Sequence, residues 1–108
     1  MSYDAINQKT TSNNTALIDA CYNSLEKVAI ELISKMSDEA INQINRNNDN
    51  ALIFACYNSL EKVALKLIPK MSKNVINYID DNNDTTLIIA CYNDLEKVAI
   101  ELINICML

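Results

Sequence analysis

The chain has 108 residues, half of them hydrophobic and 21% charged, which suits one ordered globular domain rather than a disordered segment. Its formal net charge of −5 argues against nucleic acid and against an anionic membrane surface, since both are bound through basic patches. Histidine is absent, which removes the commonest metal ligand and general base, and glycine is absent, so tight turns must be made by other residues.

In chain order, the opening stretch MSYDAINQKTTSNN has no basic start followed by an apolar run, and no secretory signal is expected. No apolar run reaches the length of a membrane span. From residue 15 onward the chain repeats itself with a period of 35 residues, marked by Cys21, Cys56 and Cys91. The repeated blocks read ALIDACYNSLEKVAIELI, ALIFACYNSLEKVALKLI and TLIIACYNDLEKVAIELI. A fixed period of this size signals stacked supersecondary units, each too small to bury its own apolar face. One domain over 1–108 is expected, with copies at about 1–45, 46–80 and 81–108.

Within the second copy, Asn47, Asn48 and Asp49 predict a polar turn. Asn50 then caps a short helix from Ala51 to about Asn58, as Thr15 and Thr85 do elsewhere. Asn58 with Glu61 predicts a capping box for a second helix, repeated at Asn23/Glu26 and Asn93/Glu96. That helix runs from about Leu60 to Ile68, with Leu60, Val63, Ala64, Leu67 and Ile68 as its apolar stripe. Lys27–Glu31 and Lys97–Glu101 have the spacing of helical ion pairs, and Pro69 stops or kinks the helix of the second copy. Ser37 and Ser72 can each start a further turn, with Ile41/Ile44 and Ile76/Ile79 packing beneath. The stretches RNNDN and DNNDT suggest that Asn, at Asn13, Asn48 and Asn83, replaces glycine at left-handed positions.

Two antiparallel helices and a polar-tipped connector, repeated in phase over essentially all of the chain, resemble the ankyrin repeat. The residues that carry the resemblance are Thr15-Ala16-Leu17-Ile18-Asp19-Ala20-Cys21 and their copies, then Leu25-Glu26-Lys27-Val28-Ala29, then Ile41-Asn42 and Ile76-Asn77. Ala51 and Ile53 stand where the family has Pro and His, the family's glycines are missing, and the unit exceeds the usual length of about 33 residues. The excess falls in MSDEA and MSKNV. Tetratricopeptide units have longer helices and no Asn-rich hairpin; pentatricopeptide units bind RNA and should be basic. The resemblance implies an all-α, ankyrin-like solenoid of stacked antiparallel helix pairs with hairpin-like loops, acting as a non-enzymatic protein-binding module. The Gly-free, Asn- and Ile-rich character looks like arrays carried by large DNA viruses and intracellular parasites, which would place it in a host cytoplasm.

Three groups of residues are candidates for function. Tyr22, Tyr57 and Tyr92, each followed by Asn23, Asn58 or Asn93, fall where ankyrin arrays line their concave groove. Rigid aromatic area beside adaptable amides is the chemistry of a paratope. Equally, the rings can stack on one another and on Ile18, Ile53 and Ile88, while the Asn residues only cap helices. If the groove functions, Tyr57→Ala should abolish binding with little loss of stability. The hairpin tips vary between copies: Thr11, Ser12 and Asn14; Arg46, Asn47 and Asp49; Asp81, Asn82 and Asp84. Either they are tuned to a partner or they vary because solvated turns are unconstrained. Asp80, Asp81, Asp84 and Asp94 favour a basic partner. They lack the Gly and terminal Glu of a calcium loop, so no metal and no cofactor is expected.

The third group is the cysteines. The repeated cysteines read as small buried side chains in a reduced, intracellular protein, and their equivalents in an ankyrin stack would stand about 10 Å apart, too far for a disulfide. Cys106 is the candidate reactive thiol, but without His no nucleophile–base pair exists and no enzyme is expected. Lys9 and Asp19 put polarity on the first copy where the others have Ile44, Ile79, Phe54 and Ile89. The last copy ends INICML, which predicts an apolar end face: either the chain is a structural fragment of a longer repeat array that stacks there, or that face meets a partner or a second copy, with self-association through Ile105, Met107 and Leu108.

Overall fold

The computed structural model describes residues 3–106, with side chains from Ala5 to Ile105. Regular structure among these residues is helical, apart from one isolated antiparallel bridge between Lys9 and Thr15. The helices are α1 (Tyr3–Ile6), α2 (Ala16–Tyr22), α3 (Glu26–Lys35), α4 (Asp38–Ile41), α5 (Ala51–Tyr57), α6 (Glu61–Leu67), α7 (Lys73–Ile76), α8 (Thr86–Tyr92) and α9 (Glu96–Cys106). They recur in phase: α2, α5 and α8 pack side by side in one row, and α3, α6 and α9 in a second. Each helix of the first row also packs on its successor in the chain, giving a body of 38 × 27 × 25 Å.

Local chemistry explains why each helix begins. The side chains of Thr15, Asn50 and Thr85 accept from the amides of Ile18, Ile53 and Ile88 at 3.2, 2.9 and 3.2 Å, satisfying donors that the first helical turn leaves free. Ser37 and Ser72 do the same for α4 and α7, so the stretches that lengthen each unit become short helices. Pro69, which has no N–H, ends α6 at Leu67; a 3₁₀ turn over Ile68–Lys70 follows.

How the first-row helices end was not foreseen. Ser24, Ser59 and Asp94 take left-handed backbone at φ 59°, 56° and 60°. Their amides bond the carbonyls of Cys21, Cys56 and Cys91, and the amides of Leu25, Leu60 and Leu95 bond those of Ala20, Ala55 and Ala90. This is the paired closure of a Schellman motif, made without glycine. It uses up the residues expected to form a capping box. Asn23, Asn58 and Asn93 close the first helix instead, and Leu25 and Leu60 precede α3 and α6 as N-cap residues with no side-chain cap bond. The expected left-handed turns at Asn13, Asn48 and Asn83 are present, at φ 64°, 63° and 63°.

The core runs along the interface between the rows. Leu17, Leu52, Val63, Leu67, Val98 and Leu102 are among its most buried side chains. Ile41 and Ile76 pack beneath as expected, Ile44 is half-buried, and Ile79 is exposed. The Lys27–Glu31 and Lys97–Glu101 spacings yield no ion pair. Among the described residues the salt bridge is Lys35–Glu31 at 3.2 Å, a solvated pair worth a few tenths of a kcal/mol. No helix among them is long and apolar enough to cross a membrane.

Candidate interaction surface

Asn side chains, recurring in phase, join one copy to the next. The Asn58 amide group donates to the carbonyls of Cys21 (2.8 Å) and Tyr22 (3.0 Å), and that of Asn93 to those of Cys56 (2.8 Å) and Tyr57 (3.4 Å). Asn23, in the first copy, turns back to the Asp19 carbonyl of its own helix. A second series starts each short helix: the Ser37 amide donates to Asn7 Oδ1 (3.0 Å) and the Ser72 amide to Asn42 Oδ1 (2.7 Å). Asn58 and Asn93, expected on a recognition surface, thus have their donors committed to holding the stack.

The tips are tied in a line as well. Thr10, Asn45 and Asp80 each accept two amides of their own loop, fixing its shape: 3.3 and 3.2 Å for Thr10, 2.9 and 2.9 Å for Asn45 and for Asp80. Sequence reading missed this role. Its signal was a 35-residue recurrence of short side-chain acceptors, Thr, Asn and Asp, just ahead of each tip. Between tips, the Arg46 amide donates to the Ser12 carbonyl and its guanidinium to the Thr11 carbonyl. Asn48 Nδ2 donates to Asp81 Oδ1 at 2.9 Å, while Asn47 and Asn82 stay exposed.

Among the differences between the first and second junctions, one pair carries an electrostatic consequence. Asn45 Nδ2 donates to Asn14 Oδ1 at 2.9 Å. One period later the same two positions hold Asp80 and Asp49, and no side-chain amide is present to donate. Partial burial, then the charges of Asp80 and Asp81, push Asp49 up to about 6.

The tyrosines do not stack on one another. Tyr22 meets the edge of Phe54 from the next copy, with centroids 5.2 Å apart and planes at 74°. Tyr57 donates to Asp80 Oδ2 at 2.9 Å, with Asp84 Oδ2 at 3.3 Å. Burial, then its bond to Asp80 and the charges of Asp80 and Asp84, push its hydroxyl up to about 12 against an opposing bond with Asn82. Tyr92 is 87% exposed. Between successive tyrosines lie two equivalent clefts, about 390 Å³ lined by Tyr22, Phe54, Tyr57 and Asn58, and about 230 Å³ lined by Tyr57, Asp84, Ile88, Ile89 and Tyr92. Ile88 lies beside the rings, as the stacking alternative expected, whereas Phe54 was not expected on this surface.

Cys21 and Cys56 are fully buried, and burial pushes both thiols up to about 12, which leaves them unreactive. Cys91 breaks the pattern and is exposed: helices α5 and α8 pack beyond Cys21 and Cys56, and among the described residues no helix packs beyond α8. The side chain of Cys106 lies outside the described residues. Among those described, no group of three His, Cys, Asp or Glu side chains is arranged to hold a metal ion. No protein-family model and no curated protein matches the chain.

Proposed function

We propose that this chain is an ankyrin-like solenoid that works as a non-enzymatic protein-interaction module. It takes a partner segment along the tyrosine clefts, with the acidic tips alongside. The observation that carries this reading is the contrast between framework and surface. Side-chain amides and tip acceptors lock the backbone in phase, while Tyr22 and Tyr92 present exposed rings that make no comparable bonds of their own. A rigid aromatic surface loses little conformational entropy on binding. Asp84 in the second cleft and Asp80 on its Tyr57, with the acidic tips beyond, favour a segment that combines an apolar side chain with Lys or Arg. The tips serve mainly as a charged rim, because Arg46, Asn48 and Asp81 are already paired between copies.

Peptide display against the folded chain tests this. Sequences pairing an apolar residue with Lys or Arg should be enriched and should bind more weakly at high salt. Tyr92→Ala should weaken them at least tenfold without moving the Tm. Tyr57→Ala, the obvious choice from sequence, is a poorer probe because Tyr57 also ties down Asp80. Binding indifferent to Tyr92 would sink the cleft reading.

A further inference from the structure

In a chain with 14 acidic and 9 basic side chains, the middle copy gathers positive charge in one place. Residues 62–79 contain Lys62, Lys66, Lys70 and Lys73 and no Asp or Glu. All four lysines are exposed, and none makes an ion pair among the described residues. Lys62 and Lys66 stand one turn apart on α6, about 6 Å along its axis. Lys70 ends the 3₁₀ turn that follows Leu67, and Lys73 opens α7.

The first copy shows what this arrangement gives up. Glu31 and Lys35 pair at 3.2 Å across one turn of α3. The same two positions on the middle copy are Lys66 and Lys70, so an attractive pair becomes a repulsive one. Asp38 likewise becomes Lys73. The bend that presents Lys70 and Lys73 is nonetheless fixed: Asn42 donates to the Lys70 carbonyl at 3.2 Å, and its Oδ1 accepts the Ser72 amide at 2.7 Å. Helices α3 and α9 pack on either side of α6. Level with Lys62 they carry Lys27 and Lys97, but level with Lys66 they carry Glu31 and Glu101. From Lys66 onward the positive strip is therefore one helix wide.

We propose that this strip is a docking surface for an acidic segment of a partner protein, laid along α6 with carboxylates recurring about every 6 Å, as at every fourth residue of a helix. Those carboxylates supply the counter-charges that the strip lacks, and they fix the register of the partner and speed its encounter. The flanking Glu31 and Glu101 select for a narrow partner. A bilayer or a nucleic acid duplex presents a broad, uniformly negative surface, which would also meet Glu31, Glu101, Asp38 and a net charge of −5. The strip lies on α6 and the turn after it, whereas Tyr22, Tyr57 and Tyr92 end the helices of the other row. This surface therefore stands apart from the tyrosine clefts.

Random peptides displayed against the folded chain, and counter-selected on a Lys66→Glu/Lys73→Asp variant, test this. Both substitutions install the residues that the first copy already carries at Glu31 and Asp38, so the variant should keep its Tm or gain from a restored pair with Lys70. Peptides with Asp or Glu at four-residue spacing should be enriched, and by fluorescence anisotropy the best should bind the variant at least tenfold more weakly. Lys66→Glu alone should cost at least fivefold. Lys9→Glu, the same change of charge in the first copy, and Tyr92→Ala, in the cleft, should each cost less than twofold. A pool without acidic enrichment overturns the proposal. Equal weakening by Lys66→Glu and Lys9→Glu does so too, since net charge alone would then explain the binding. A phosphatidylserine vesicle or a short DNA duplex that binds more tightly than the best peptide, and is released by Lys66→Glu, also overturns it, because the partner would then be of another class.

Discussion

The two ends of the helix rows are built from nearly the same sequence and meet water differently. At the first end the exposed positions are Asp19, Asn23, Leu25 and Val28, with Ile6 from α1 packed against the core beside them. At the other, Ile88, Tyr92, Ile100 and Ile103 are exposed beside the polar Asp94, Glu96 and Asn104. One side chain makes much of the difference. Position 19 faces away from the stack where Phe54 and Ile89 face a neighbour, and it is the position that became Asp. The face of α2 therefore carries a charge, at Asp19, where the equivalent positions of α5 and α8 hold the apolar Phe54 and Ile89.

The strongest way to break this comparison is to truncate the same isoleucine at two places. Ile53→Ala, inside a junction, should cost about 3 kcal/mol and lower the denaturation midpoint clearly. Ile88→Ala, half exposed, should cost under about 1 kcal/mol. Equal losses would mean that the last pair is covered in solution. The amide series should behave in the same way. Asn58→Ala removes both bonds to the preceding copy and should cost about 2 kcal/mol, whereas Asn23→Ala should cost about 0.5 kcal/mol, both read by urea unfolding.

A finer comparison concerns the Asn14–Asn45 and Asp49–Asp80 junctions. Asp49 rises from the ordinary 3.8 to about 6 in the folded protein. Its contribution to stability is therefore complete below about pH 4 and is lost as pH rises through about 6. Asp49→Asn should leave stability unchanged at pH 4 and raise it at pH 8 by about 1 kcal/mol, the full shift being reduced by solvent screening of a partly exposed group. A Tm difference that ignores pH would place the repulsion elsewhere. A small effect of opposite sign belongs to Thr86, whose buried hydroxyl has no hydrogen-bond partner among the described residues where the other copies have Ala16 and Ala51. Thr86→Ala should stabilise by about 0.5–1 kcal/mol in thermal unfolding.

Much of the helical layout was legible because it is local. Caps at Thr15, Asn50, Thr85, Ser37 and Ser72, the stop at Pro69 and the left-handed Asn turns each depend on residues within four positions, and the 35-residue period repeats the reading three times. The capping box failed for a reason also local but hidden. Asn-Ser and Asn-Asp fit a helix end as well as a helix start, and only two residues separate the first helix from Leu25 or Leu60. On the candidate surface, exposure of Tyr22 and Tyr92 followed from their place at a helix end. The commitment of Asn58, Asn93, Arg46 and Tyr57 to partners 23 to 37 residues away did not.

The sequence alone determined the period, the helices with their turns, and the acidic balance, since these rest on short-range backbone chemistry and composition. Only the tertiary structure decided which copies of one residue are core and which are surface. Cys21 and Cys91 sit in almost identical sequence, yet one is buried and the other exposed. Burial depends on whether another helix pair packs against that face, and no residue encodes its own neighbour across a 35-residue step.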